Sequence, residues 1–189
     1  MKYAKHINLT VDFPHLNKST IVLGRHGKGL TDFPEGVIRK YIPNKQVDLI
    51  KSSLPEALQS SVIGVNYSDI RLLAPHIHMV EQAVINFYQH TNGEMTTFYE
   101  GEIERDDRWS TDNGNGYLNV VMEKIHPVES FIAKDNDVWI LDTRQPHSVT
   151  IIDDERTDMH QFEPKGDNHR KIVQVYLDLP FAEVIKFFD

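Results

Sequence analysis

Two of the chain's ten histidines stand in the tetrapeptide Pro75-His76-Ile77-His78. On a β-strand, residues i and i+2 share a face, so His76 and His78 project together and Ile77 turns away. Two imidazoles on one face can hold a divalent cation when a third ligand arrives from elsewhere. The candidate for that third ligand is His147, in Leu141-Asp142-Thr143-Arg144-Gln145-Pro146-His147-Ser148-Val149, where it opens a strand after a turn. A near pair plus a remote single ligand suits an ion held between two sheets. A bland alternative stands beside this one, because a His-x-His in a histidine-rich chain also occurs on exposed strands that bind nothing. The strand-opening His147 and the basic pair Arg170-Lys171 at the head of the last strand weigh toward the metal.

Composition narrows the chemistry further. The 189 residues carry a net charge of −8 and no cysteine. Disulfides, Cys-ligated zinc, iron–sulfur clusters and cysteine nucleophiles are therefore excluded. The acidic balance, with no Lys/Arg run longer than two, argues against a nucleic-acid partner, because phosphate contacts need a basic face. No apolar run approaches the ~20 residues of a membrane span. The opening MKYAKHINLTVDFP lacks the apolar core of a signal peptide. The expectation is a soluble cytoplasmic protein with no membrane contact, and a homodimer is the default for an acidic β-rich chain of this size.

The elements that must position the histidines read mostly as strands. One domain is expected over 1–189, with a mixed helical and strand part at 1–60 packed on a β core at 61–180. In the first part, Thr20–Gly24 reads as a strand. Val47, Ile50, Leu54 and Leu58 fall at helical spacing, with Asn44 as an N-cap and Pro55 dividing the run into two short helices. Beyond residue 60 the expected strands are Ser61–Asn66, Ile70–Leu73, Ala83–Tyr88, Met95–Tyr99, Tyr117–Lys124, Ser130–Ala133, Val138–Leu141, Ser148–Ile152 and Ile172–Leu179. Asn92-Gly93 and Asp135-Asn136-Asp137 mark turns, Arg105–Gly116 a polar loop, and Phe181–Phe188 a short amphipathic tail. Short strands at regular spacing, without βα alternation, give a mainly β fold: a double-stranded β-helix (a jelly roll, cupin-like) with a few N-terminal helices.

Along residues 68–180 the chain resembles the iron(II)/2-oxoglutarate-dependent dioxygenases, most of all the aspartyl/asparaginyl and prolyl hydroxylase-like branch. The motifs that carry the likeness are Pro75-His76-x-His78, Ala83-x-Ile85-Asn86-Phe87-Tyr88, Thr96-Thr97-Phe98-Tyr99, the His147 segment and Arg170-Lys171-Ile172-Val173-Gln174-Val175-Tyr176-Leu177-Asp178, in that order. The resemblance implies a metal held by His76, His78 and His147, with open positions for 2-oxoglutarate and oxygen. It also implies a basic residue on the final strand that pairs with the far carboxylate of 2-oxoglutarate. Arg170 fits by its planar fork, and Lys171 takes over if the strand register runs the other way. Asn86 and Tyr88 share a strand face, and either hydrogen-bond a cosubstrate carboxylate or form a satisfied core pair.

The chain departs from the family pattern in two places. His78 stands where the family has a carboxylate, which makes the site one unit more positive and favours iron, zinc or nickel differently; Glu81 is a fallback carboxylate in the following loop. The stretch 153–169 is longer than the family usually allows and is read as an inserted hairpin, with His160 and His169 at the surface. Separately, Gly24-Arg25-His26-Gly27 looks like the nucleophile motif of histidine phosphatases, but a plain glycine turn is the stronger reading, because three-letter motifs recur by chance and the surrounding βα architecture is missing. Trp109 suits a lid, and Trp139 suits packing between sheets. Three functions follow: an Fe(II)- and 2-oxoglutarate-dependent oxygenase acting on a small molecule or protein side chain; a cupin-like metal- or ligand-binding protein without that catalysis; and a phosphatase built on Arg25 and His26. The sequence leaves open whether the chain is an enzyme.

Overall fold

A computed structural model describes residues 1–11, 37–42, 44–70, 73–105, 117–151 and 170–189. Eleven strands among these residues form two antiparallel sheets. One sheet holds six: β1 (Ala4–Ile7), β9 (Val138–Asp142), β5 (Ala83–His90), β11 (Arg170–Leu177), β3 (Val62–Ile70) and β2 (Val37–Tyr41), in that lateral order. The other holds five: β7 (Tyr117–Asn119), β4 (Leu73–His78), β10 (His147–Ile151), β6 (Glu94–Gly101) and β8 (Ile125–Ile132). From β3 onward, leaving out the short β7, the chain passes from one sheet to the other at every step except β6 to β8. The resulting orders β3-β11-β5-β9 and β4-β10-β6-β8 are the two interleaved Greek keys of a jelly roll.

Each core strand alternates, and the alternation builds two apolar layers. Val84, Tyr88, Phe98, Leu141, Val149, Ile172 and Tyr176 point between the sheets with Phe131. Trp139 of the six-stranded sheet stacks on Phe131 of the other, with ring centroids 4.0 Å apart and 13° between planes. The opposite residues of the six-stranded sheet, among them Ile85, Phe87, Ile140, Val173, Val175 and Leu177, face short helices. These are α1 (Asn44–Ser52), α2 (Glu56–Gln59) and α3 (Phe181–Val184), the last running on as a 3-10 turn over Ile185–Phe188. Ile50, Leu54 and Leu58 from α1, α2 and their junction are fully or almost fully buried there. Each such burial contributes roughly 1.5–3 kcal/mol. Pro55 separates α1 from α2, since it lacks an N–H and disfavours helical backbone before it.

Several expected elements are redrawn. The strand expected over Ile70–Leu73 is the end of β3 and the start of β4. The strand expected over Tyr117–Lys124 ends at Asn119, and Met122–Lys124 is a 3-10 turn. The one expected at Ser130–Ala133 begins earlier, at Ile125. β8 lies at a sheet edge, which explains how it tolerates Pro127 and a largely exposed side-chain pattern. Asn92-Gly93 does form a turn, with Gly93 at φ +81°, but it carries the chain from one sheet to the other. β6 ends at Gly101, where a Cβ would fall 2.2 Å from the Lys124 carbonyl oxygen. The expected strand Thr20–Gly24, the Arg25-His26 motif, Trp109 and the 153–169 insertion lie outside the described residues. No described helix is long and apolar enough to cross a membrane.

Candidate metal centre

β4 and β10 are neighbours, and the pairing register sets His147 directly opposite His76. His78 follows His76 on the same inward face, while Ile77 faces away and is only half-buried. The three rings meet between the sheets, all buried. Their centroids are 4.3 Å apart for His76 and His147, 5.4 Å for His76 and His78, and 5.3 Å for His78 and His147. One nitrogen from each lies within 4.8 Å of the others. Nitrogens sharing one ion at about 2.1 Å stand ~3–3.5 Å apart, so modest side-chain rotation closes the group on a cation.

The backbone fixes which nitrogens are available. His76 donates Nδ1–H to the Ala74 carbonyl at 2.8 Å, and His147 donates Nδ1–H to the Gln145 carbonyl at 2.9 Å. Each bond leaves Nε2 with its lone pair turned from the backbone, the arrangement a metal-binding imidazole needs. Burial pushes the His147 imidazole down to about 4; the Gln145 bond opposes this, and the Arg170 charge adds to it. His147 is therefore neutral at pH 7. Three inward imidazoles of this kind fit a divalent metal.

His78 is held differently. Its Nδ1 lies 3.4 Å from Glu81 Oε2, an electrostatic contact on the side of the ring toward the bend. Glu81 was a fallback for the missing carboxylate ligand; it stands behind His78 instead, outside the three-residue group. The bend that carries it is tied down: Thr143 Oγ1 donates to the Glu81 carbonyl at 3.0 Å, and the Arg144 guanidinium donates to the carbonyls of His78 and Met79 at 3.3 and 2.9 Å.

Across the gap, β11 brings its own polar groups. Arg170, Ile172, Gln174 and Tyr176 face inward with the histidines, and Lys171 shares the outward face of Val173. Of the two basic residues, Arg170 is thus the one on the histidine side. Arg170 is 3% exposed. Its guanidinium spans the two sheets, donating from Nη1 to Thr96 Oγ1 at 3.0 Å and lying 5.4 Å from the Tyr88 ring centroid. Arg170 Nε and Tyr88 Oη are both buried with no hydrogen-bond partner among the described residues. The nearby Glu94 carboxylate accepts backbone N–H groups, from Arg170 at 3.0 Å and Asn92 at 2.7 Å, and no ion pair joins it to the guanidinium.

Asn86 and Tyr88 do share the inward face of β5. Asn86 Oδ1 accepts from Gln174 Nε2 at 3.3 Å. Thr96, Glu94, Gln174, Ser68 and Tyr176 had no functional role assigned from sequence. Gln174 carried a usable signal, as an amide in the apolar run IVQVYL in phase with Arg170. Thr96 carried none, because only the fold brings β6 opposite β11.

No protein-family model matches the chain, and no curated protein matches it. Among solved structures it is similar to vicilin from Corylus avellana (hazelnut), at 9% identity and a TM-score of 0.40, over 80% of this chain and 32% of that one. It is also similar to ycfD of E. coli, at 11% identity and a TM-score of 0.44, over 88% of this chain and 43% of that one. The chain thus spans less than half the length of either protein. The jelly roll itself rests on the strand order.

Proposed function

We propose that this chain is an oxygenase that binds Fe(II) on His76, His78 and His147 and 2-oxoglutarate on Arg170, and hydroxylates a small molecule or protein side chain. One observation carries the reading: three buried imidazoles share an inter-sheet space with a buried guanidinium that no described carboxylate pairs. An unpaired buried cation is costly, and a ligand carboxylate would relieve that cost through two parallel N–H···O bonds. Thr96 holds one end of the guanidinium and leaves the rest of its fork for the ligand. Tyr88 Oη is a second donor with no partner among the described residues. Asn86 lies between Tyr88 and the histidine end of the space. Bound there, Fe(II) supplies redox chemistry with oxygen and 2-oxoglutarate supplies two electrons, so that C–H, O₂ and 2-oxoglutarate give C–OH, succinate and CO₂.

Anaerobic titration of the purified protein with Fe(II) and then 2-oxoglutarate tests this. The expected result is a visible charge-transfer band, followed by succinate on admission of air. Absence of both overturns the reading. His78 in the carboxylate position favours a second reading, a metal protein without 2-oxoglutarate chemistry, because the all-imidazole set is one unit more positive. Zinc or nickel by elemental analysis, with no 2-oxoglutarate binding, supports that second reading.

A further inference from the structure

The inward face of the six-stranded sheet carries a chain of buried polar side chains joined by hydrogen bonds that run in one direction. Ser68 Oγ donates to Gln174 Oε1 at 2.8 Å, and Tyr176 Oη donates to the same oxygen at 3.0 Å. A hydroxyl donates one proton, and an amide oxygen only accepts. In the structure both hydroxyls donate to the Gln174 amide oxygen, which accepts through its two lone pairs. Gln174 Nε2 must then point the other way, where it donates to Asn86 Oδ1 at 3.3 Å. That bond fixes Asn86 in turn: its oxygen is occupied, and its NH₂ is the end left for the inter-sheet space. Ser68, Gln174, Tyr176 and Asn86 are all at most 7% exposed, so water competes little for these bonds.

The chain of bonds lies within the candidate site. The register sets Asn86 opposite Gln174, Val84 opposite Tyr176 and Tyr88 opposite Ile172. Asn86 therefore sits between Tyr176, whose ring is 6.2 Å from the His78 ring, and Tyr88, which lies under Arg170. A molecule reaching from the histidines to Arg170 passes Asn86.

We infer that Ser68, Tyr176 and Gln174 act as positioning residues that lock Asn86 as a hydrogen-bond donor. Asn86 Nδ2 then binds an acceptor oxygen, carboxylate or carbonyl, of the molecule held at the metal centre. The inference rests on the proposed function for the identity of that molecule, and on the bond directions alone for the polarity of Asn86.

Gln174→Glu separates the two. A carboxylate at 174 still accepts from Ser68 and Tyr176, but it cannot donate to Asn86. The Asn86 amide must rotate, giving its NH₂ to residue 174 and its oxygen to the space. The probes are side-chain amide resonances of the ¹⁵N-labelled protein and calorimetric titration of the Fe(II)-loaded protein with 2-oxoglutarate under anaerobic conditions. In Q174E the Asn86 NH₂ pair shifts and gains protection from solvent exchange. Affinity for 2-oxoglutarate falls about 10- to 100-fold, the cost of setting an acceptor against an acceptor.

Unchanged Asn86 resonances with unchanged affinity overturn the inference. Inverted resonances in a protein whose wild type binds no 2-oxoglutarate uphold the lock and defeat the assigned function. If Q174E does not fold, Ser68→Ala combined with Tyr176→Phe removes the two fixing donors without adding charge. The Asn86 resonances are then expected to double or broaden as both amide orientations become populated; one sharp, unshifted pair overturns the inference.

Discussion

β11 presents two chemically opposite surfaces from one run of eight residues. Its outward side, with Val173, Val175 and Leu177, is buried against helices in an apolar layer. Its inward side, with Arg170, Gln174 and Tyr176, is buried just as deeply but faces histidines, an asparagine and a serine. Burying an apolar side chain stabilises the fold, whereas burying amides, a guanidinium and imidazoles costs free energy unless every group is paired. The outward side is thus where the fold gains stability. The inward side is where it gives some up, and that is the usual mark of a site.

Truncation should separate the two surfaces most sharply. Leu177→Ala removes a fully buried side chain from the helix-covered layer. It should destabilise the protein by about 2–5 kcal/mol in urea unfolding and leave metal stoichiometry unchanged. His147→Ala, only a sheet away, should do the reverse in metal titrations. It removes one of the three candidate ligands, so affinity should fall by more than the ~10–100-fold typical of changes behind a ligand. If Leu177→Ala abolishes metal binding in protein that is still folded, the two surfaces are not independent.

The legibility of the sequence divides along the same line. His76 and His78 could be paired because a period of two is local, and β4 obeys it. The split at Pro55 and the turn at Asp135-Asn136 were readable for the same reason; Asn136 has φ +68°. β1 and β2 were not foreseen, being short edge strands whose partners are far away in sequence. The front of β8 was hidden by its exposure and by Pro127. Most of all, the contact of Arg170 with Thr96 joins two strands of different sheets, 74 residues apart. No pattern within either strand encodes it. The histidine group was visible because one ligand pair is local; the polar network on β11 was hidden because each of its bonds but one crosses between strands.

Acid should sharpen the contrast next. The folded state holds His147 neutral down to about pH 4, against 6.5 for a free imidazole. Between those values the unfolded chain binds a proton there that the folded chain does not. Stability is therefore fully present above pH 6.5 and is lost as pH falls toward 4, by up to about 3 kcal/mol for this one group. Urea unfolding of metal-free protein at pH 7.5 and near pH 4.5 measures the loss. His147→Gln should flatten this part of the profile, whereas Leu177→Ala should lower the whole curve without changing its shape. An acid limb equally steep in His147→Gln would place the sensitivity elsewhere.

The smallest effect comes from the carboxylate behind His78. Glu81 touches none of the other two histidines' nitrogens within the three-residue group, yet it sits 3.4 Å from His78 Nδ1. At that distance the contact is electrostatic and not a hydrogen bond; the carboxylate charge favours the proton on His78 Nδ1 and raises the basicity of Nε2, the candidate ligand atom. It also returns, one bond further out, the negative charge that a histidine in the ligand position takes away. Glu81→Gln keeps the size and removes the charge. Metal affinity should fall about 10–100-fold, less than on loss of a ligand, and unfolding in the metal-free state should barely change. Competition titration against a chelator of known affinity reads the difference. An unchanged affinity would mean that the site works with three imidazoles alone, and that the contrast between the two surfaces of β11 owes nothing to the charge beyond them.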